Sequence, residues 1–481
     1  MPRKVAKMSS MRAPSQRAYE ASATGRRLGE WDAPALSPTR AATTELDLIR
    51  RRSRAATRNN PWISKALESS IATIVGTGII PRPQTKNKKF NKDLLELWGD
   101  YSPLADLNSA MGAYGIQYIS ERAVEESGEV FIRIIRKRAD KNLPVPLQFQ
   151  VVEADLCPLS LNRKAPNGNE IISGIEVDKN GTMVAVWLYQ RHPSEGLTSL
   201  NDVVRVAAAN IIHLFKADRP GQLRGVPKGV QSMVRAHVFD KYDDAELGRK
   251  EARANFTGII KRPDYGPEDY KFDPISGEPI SSDDNDVPIL EMETGTFPSL
   301  LPGEDLTLFT GDDAGRGYKD YQHYQLLASA AGWGIPYQHM TGDYTEINDR
   351  LWRAIMNQYQ REVEQYQHLS LIPQLCRRMW NEFVQRAIIS GAIDYPITFA
   401  DNPHERFRCH HHPQAQKHIH PVQDVQAKVM EIDNRLNSRQ KVIDETKGES
   451  IEEIDRQIAE DATRDEKLNL KTEDSENVKS T

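Results

Sequence analysis

The chain has 481 residues, a net charge of -5 and a mean hydropathy of -0.61, a polarity that suits an elongated or multi-part subunit better than one compact globule. No stretch approaches ~18 apolar residues and the basic start lacks an apolar segment, so neither a membrane span nor export through a signal peptide is expected. Three widely spaced cysteines, Cys157, Cys376 and Cys409, give no disulfide framework and suit a reducing compartment.

Charge is uneven along the chain: residues 1–60 carry 13 Lys or Arg against 5 Asp or Glu, whereas residues 445–481 carry 6 against 12. The first stretch, rich in Ser, Ala and Pro, reads as a solvated, disordered arm over 1–45. Residues 46–75 read as one or two helices. Asn60 is a good N-cap with Pro61 at the first helical position, and Ile63, Leu67, Ile71, Ile74 and Val75 recur at helical spacing. The Gly76-Thr77-Gly78 that follows resembles a phosphate-binding turn, but it ends a helix where a dinucleotide site would begin one, so it reads as a helix terminus.

Residues 113–126 predict another helix. The period then falls to two in "SGEVFIRIIRKR", "LPVPLQFQVVEADL", "GIEVDKNGTMVAVWLYQRHP" and "NIIHLF", which predicts strands. Asn180-Gly181 predicts a type I′ turn and a hairpin over 174–191. Helical spacing returns over 228–256. A Pro-, Gly- and Asp-rich segment with short strands follows, and its acids Asp283, Asp284 and Asp286 lack the spacing of a calcium loop. From 318 to 395 the chain is helical again, broken at "GWGIPYQHMTGDY". Ile347, Leu351, Ile355, Tyr359, Val363 and Tyr366 form one apolar stripe, and Leu375, Met379, Trp380 and Phe383 form another past Pro373.

The densest candidate chemistry is "CHHHPQAQKHIHP", residues 409–421, where Cys409, His418 and His420 offer zinc-ligating groups. Adjacent histidines cannot all face one metal and no paired ligand spacing is present, so this stretch reads as an exposed, pH-sensitive hinge and no metal or other cofactor is expected. There is no P-loop, no G-x-S-x-G and no H-E-x-x-H, and the sequence gives no positive case for an enzyme.

Seven stretches together resemble the lambda-type portal proteins of tailed bacteriophages: "RNNPWISKALESSIATIVGTGIIPRP", the two strands from "SGEVFIRIIRKR" to "LPVPLQFQVVEADL", "GIEVDKNGTMVAVWLYQRHP", "NIIHLFKADRPGQLRGVP", "DDAELGRKEARANFTGII", "LLPGEDLTLFT" and "LLASAAGWGIPYQHMTGDYTEIN". They span about residues 46–445 in the family's order. Asp349-Arg350 stands where the family commonly has a serine pair, and His420-Pro421 where it has Asp-Pro.

The resemblance implies an α+β portal fold with a helical stem and crown, a β-rich wing and a small strand-containing clip, assembled as a homo-oligomeric ring of about twelve subunits. On this sequence it implies a basic arm over 1–45, wing over 46–227, stem helices over 228–256 and 313–334, and clip over 257–312. The channel loop would be 335–346, the long helix and wing return 347–420, the crown 421–462 and an acidic disordered tail 463–481. Gln338, His339, Thr341, Asp343 and Tyr344 would be the DNA-facing loop residues. The implied partners are the terminase large subunit, head-tail adaptor proteins, major capsid and scaffold proteins, and double-stranded DNA passing without sequence specificity, with no membrane. The implied location is the virion, with the host cytoplasm during assembly. The rival reading is a DNA-binding or DNA-processing enzyme with a His/Cys metal site.

Overall fold

The computed structural model describes residues 33–108, 110–138, 141–196, 200, 202–255, 258–261, 305–308, 315–345, 347–414, 421–447 and 451–468. Most of the expected arm and clip, the acidic run Asp283–Asp286, His418, His420 and the end of the expected tail lie outside the described residues.

Ser37 accepts from the Arg40 amide and Pro38 occupies the first turn, so α1 (Pro38–Thr43) forms inside the stretch expected to be disordered. Its Thr39 is buried against the Gly221 carbonyl, which corrects the arm's expected extent to 45. Helices α2 (Leu46–Asn59) and α3 (Pro61–Ile74) meet at Asn60, whose side chain accepts from Ile63 N at 2.9 Å. The chain leaves α3 through Gly76 and Gly78 into β1 (Ile80–Pro83), as expected of a helix terminus.

Helix α4 (Lys88–Tyr101) carries Phe90, Leu94, Trp98 and Tyr101 on its buried face. The sequence reading assigned no element there, although Asn87 is an N-cap of the same kind as Asn60. Helix α5 (Ala113–Ser127) ends at Gly128 and leads into β2 (Glu129–Arg136). Next come β3 (Leu147–Val152), β4 (Arg163–Lys164), β5 (Glu170–Ile172), β6 (Ile175–Val177), β7 (Met183–Tyr189), β8 (Val203–Ala207) and β9 (Ile211–Phe215). They make two antiparallel sheets, ordered β3-β2-β9 and β4-β5-β6-β7-β8. In β2, Val130, Ile132 and Ile134 enter the main helical core while Phe131 faces a second core with Ile175, Val186 and Leu188. Both faces are covered, which explains the near-continuous apolar run.

The β6–β7 hairpin is present, but its turn differs from expectation. Only Gly181 has a positive φ, +79°, and Asn180 does not. Asp178 Oδ1 accepts from the amides of Asn180 and Thr182, and the Gly181 amide donates to the Asp178 carbonyl. The aspartate thus selects an ordinary turn followed by one left-handed glycine over the two left-handed residues of type I′. The register shift beside Val177 accommodates the extra residue.

Helix α6 (Val230–Asn255) leads to β10 (Gly258–Lys261), which pairs antiparallel with β11 (Asp305–Leu308). Helix α7 (Gly315–Trp333) returns along α6, through Tyr242 against Tyr318 and Tyr321, and Arg235 to Gln325. A short α8 (Tyr337–Thr341) precedes α9 (Asp349–Tyr366). Pro373 does not interrupt the helix. The helix widens to π geometry over Gln367–Cys376 and continues as α10 (Arg377–Ser390). A wider turn leaves room for the proline ring and the amide it lacks. On α9, Tyr359 and Val363 are buried as the stripe requires, whereas Leu351 is 49% exposed.

Trp98 and Tyr101 of α4 meet Phe383 of α10 with centroids 4.9 Å apart in both pairs, and Trp380 packs on Trp98. Strand β12 (Cys409–His412) pairs with β1, His412 opposite Ile80. Helices α11 (Pro421–Asp433), α12 (Arg439–Lys447) and α13 (Ile451–Leu468) follow. Residues 463–468 continue α13, which corrects the expected start of a disordered tail at 463.

Candidate functional site: the 334–348 loop and its supports

The loop expected to face DNA is tied down at both ends. Gly334 and Pro336 turn the chain out of α7, and the Gly342 amide closes α8 on the Gln338 carbonyl at 2.8 Å. Asp343 Oδ1 then accepts from the amide (3.0 Å) and hydroxyl (2.7 Å) of Thr345, and these bonds hold its carboxyl below the usual range. Asn348 caps α9 by accepting from Leu351 N. A fifteen-residue interruption between long helices is therefore a built connection.

The five expected residues separate by environment. Asp343 and Tyr344 are exposed, and the Tyr344 ring meets Trp352 edge-on at 5.2 Å. Gln338 and Thr341 are half-buried and line a hollow of about 240 Å³. His339 is a packing residue: its ring lies 5.2 Å from Tyr359 and 5.7 Å from Trp352, and its carbonyl accepts from Ser69. Burial, then the charge of Lys65, pushes its imidazole below the ordinary value. Lys319 and His323 of α7 line the same hollow, and both charges act on Asp343. Sequence reasoning missed them because they sit on a neighbouring helix, with no local signal tying them to the loop.

A buried ionic knot ties α2 to β2, β9 and the segment before α6. Glu129, at the start of β2, pairs with Arg50 of α2 and accepts from Arg224 Nε at 2.6 Å. Its second oxygen meets His213 Nε2 at 2.9 Å and accepts from the Gly225 amide at 3.0 Å. Glu129, Arg50 and Arg224 are at most 1% exposed. Burial alone would raise the carboxyl, but the Arg224 and Arg50 charges hold it well below its ordinary value. A smaller knot on the outer sheet uses Glu176, which accepts from Arg205 at 2.7 and 3.0 Å and from Asn167, Asn169 and Trp187, and is held down to about 2, chiefly by Arg205.

The histidine-rich stretch is corrected in part: Cys409–His412 are a paired strand, so these four residues are no hinge. Burial, then the charge of Arg377, pushes His411 down to about 4, and burial pushes the Cys409 thiol up. Among the described residues, the His, Cys, Asp and Glu side chains close enough to share an ion are Glu153, Asp155 and His192, within 4.8 Å of one another. Arg54 pairs with both of those carboxylates, so a guanidinium already supplies the positive charge there.

A family model described as phage portal protein, lambda family, matches residues 24–367. The probable portal protein of Halomonas phage phiHAP-1 is 23% identical over 352 residues, covering 71% of this chain and 64% of that protein. The portal protein of Escherichia phage N15 is 19% identical, covering 69% and 68%, and portal protein B of Escherichia phage lambda is 20% identical, covering 48% and 46%. The chain thus spans about two thirds of the first relative and under half of the lambda protein. Among solved structures, a chain from the neck of a native gene transfer agent particle is 13% identical with a TM-score of 0.46, covering 83% of this chain and 92% of that one. With the match running from residue 24 through α9, the chain belongs to the lambda family of phage portal proteins.

Proposed function

We propose that the chain assembles into a closed ring of about twelve subunits at one capsid vertex, through which double-stranded DNA enters during packaging and leaves on ejection. The ring docks the terminase large subunit first and the head-tail adaptors later, and it contacts the major capsid and scaffold proteins. It forms in the host cytoplasm and stays in the virion. The family match over residues 24–367 carries this reading. It is supported by apolar side chains left outward on the α6–α7 pair: Val234 and Val238 one turn apart on α6, 71% and 55% exposed, and Tyr324 on α7, 68% exposed. Faces of this kind suit contacts between copies. The chain acts as a conduit, and chemical work comes from a separate motor.

In this reading 46–227 is the wing, 228–256 and 313–334 the stem, 257–312 the clip, 335–346 the channel loop, 347–420 the long helix and wing return, and 421–462 the crown. Light scattering and electron microscopy of the purified protein test it: a large, discrete ring is expected, and a monomer or dimer at micromolar concentration would overturn it. The rival enzyme reading drew on Cys409, which is half-buried in β12 with its thiol donating to the His410 carbonyl.

The loop carries its own expectation. Thr341→Lys with Asp343→Lys removes the carboxylate beside Lys319 and adds two cations per subunit, a positive collar around the bore. Packaged DNA length per particle should fall at low salt and recover as salt rises, with assembly unchanged. Equal filling rates at low salt would place the loop away from the narrow part of the channel.

A further inference from the structure

Glu121 and Glu125 lie one turn apart on α5 and are 1% and 2% exposed. They face a hollow of about 300 Å³ where α3, α5, the start of α6, the end of α7 and α9 converge. Glu125 Oε1 accepts from Lys228 Nζ at 2.7 Å and from the Ser70 hydroxyl, while its Oε2 has no hydrogen-bond partner among the described residues. Glu121 Oε2 accepts from the Tyr366 hydroxyl of α9 at 2.9 Å.

The charges around the pair do not balance. From the start of α6 comes Lys228; from the segment after β9, the exposed Lys216 and Asp218; from α9, Tyr359, Tyr366 and the exposed Glu362; α3 and the end of α7 contribute Ser70 and Trp333, which carry no charge. Lys216 is offset by the two exposed acids. That leaves two buried carboxylates facing one ammonium, which is already bonded to Glu125. An unpaired buried carboxylate is costlier than a protonated one, so the surplus negative charge is most cheaply removed by a proton.

We propose that Glu121 holds a proton in the folded protein near neutral pH, and that this proton latches α9 onto α5 at the base of the stem helices. Ionising Glu121 strengthens the bond it accepts from Tyr366, but it also places a second negative charge one turn from Glu125 in the same enclosure, and that repulsion and lost solvation draw water into the hollow and loosen α9. Burial, then the charge of Glu125, raises the Glu121 carboxyl from the ordinary 4.5 to about 8. The folded chain therefore binds a proton that the unfolded chain releases. The stabilisation is complete below 4.5 and is lost as pH rises towards about 8.

The test compares the purified protein with Glu121→Gln, which keeps an acceptor for Tyr366 but cannot ionise. Stability to denaturant is followed from about pH 5.5 to about pH 9. Relative to the variant, the wild-type folding equilibrium should weaken by up to about tenfold per pH unit across this window. Hydrogen exchange of the Tyr359–Gln367 amides, normalised for intrinsic rate, should accelerate with pH in the wild type alone. Equal pH slopes in the two proteins would overturn the proposal. Should the variant not fold, infrared difference spectra of the wild type decide: a protonated-carboxyl band that disappears on raising the pH supports it, and absence of that band overturns it.

Discussion

Glu129→Ala is expected to lower the stability of the subunit by about 3–5 kcal/mol, enough to leave little soluble protein. The carboxylate is the shared acceptor for Arg50, Arg224, His213 and the Gly225 amide, and removing it leaves two buried guanidinium groups with backbone carbonyls and, for Arg50, Asp155 at 4.0 Å as their remaining partners. His213 is stacked between Phe131 and Phe215, at 4.4 and 4.5 Å, so relaxation around the gap is restricted. Urea unfolding, or the temperature midpoint if unfolding is irreversible, measures the loss. Glu129→Gln separates charge from shape: it should keep most contacts yet still leave the arginines without their counter-charge. The wild type carries its own check. A carboxyl held below its ordinary 4.5 contributes stability that is present above 4.5 and lost as pH falls below it, so acid unfolding should begin at higher pH in an Arg224→Met background. A loss under 1 kcal/mol for Glu129→Ala would mean that the cluster is open to solvent.

Gly225→Ala is the second large effect. The residue runs so close to Gly128 that an added Cβ would lie 1.9 Å from the Gly128 carbonyl oxygen and 2.9 Å from Phe215 Cβ. The Gly128 backbone cannot step aside as a side-chain end could, and Phe215 Cβ is fixed to its own strand. The cost is expected at or above the upper end of the about 1–3 kcal/mol typical of overpacking. Gly128→Ala meets the same contact from the other side and adds a φ of +89°, a region unfavourable to alanine. Because the Gly225 amide donates to Glu129, Gly225→Ala and Glu129→Ala share one structure, and their costs should sum to more than the double variant shows. Additive losses would show that the glycine contact and the ionic knot act independently.

Features written within a few residues were legible in the sequence. The Asn60-Pro61 cap, the glycine end of α3, the β-branched apolar run of β2 and the β6–β7 hairpin each depend on neighbours close along the chain. The type I′ turn was misjudged because Asn-Gly was weighed without Asp178, whose carboxylate bonds two amides of the loop. Glu129 was illegible for a different reason. Its partners Arg50 and Arg224 are 79 and 95 residues away, and nothing within the arginine-rich run of α2 marks which arginine the fold buries. The loop was found as a break between helices and its cap geometry could be guessed from Gly342 and Asp343. That His339 packs under Trp352 and Tyr359, and that Lys319 stands beside Asp343, depends on how α7 and α9 flank it. The Cys-His stretch misled for the same reason: flanking prolines suggested a linker, while its partner strand lies near the other end of the chain.

That ribbon of β1 and β12 joins residue 80 to residue 412, and it imposes an order on synthesis. At about 5–20 residues per second, β1 leaves the ribosome roughly tens of seconds before its partner exists. The entropy of closing so long a loop grows only by about 0.6 kcal/mol per doubling of length, so the delay concerns timing far more than final stability. The helices around α3 and α4 can gather early, but their seam stays open until the C-terminal return arrives to seal it. Meanwhile the waiting edge is poorly suited to recruiting a neighbouring nascent chain, because Pro81 and Pro83 have no amide to offer.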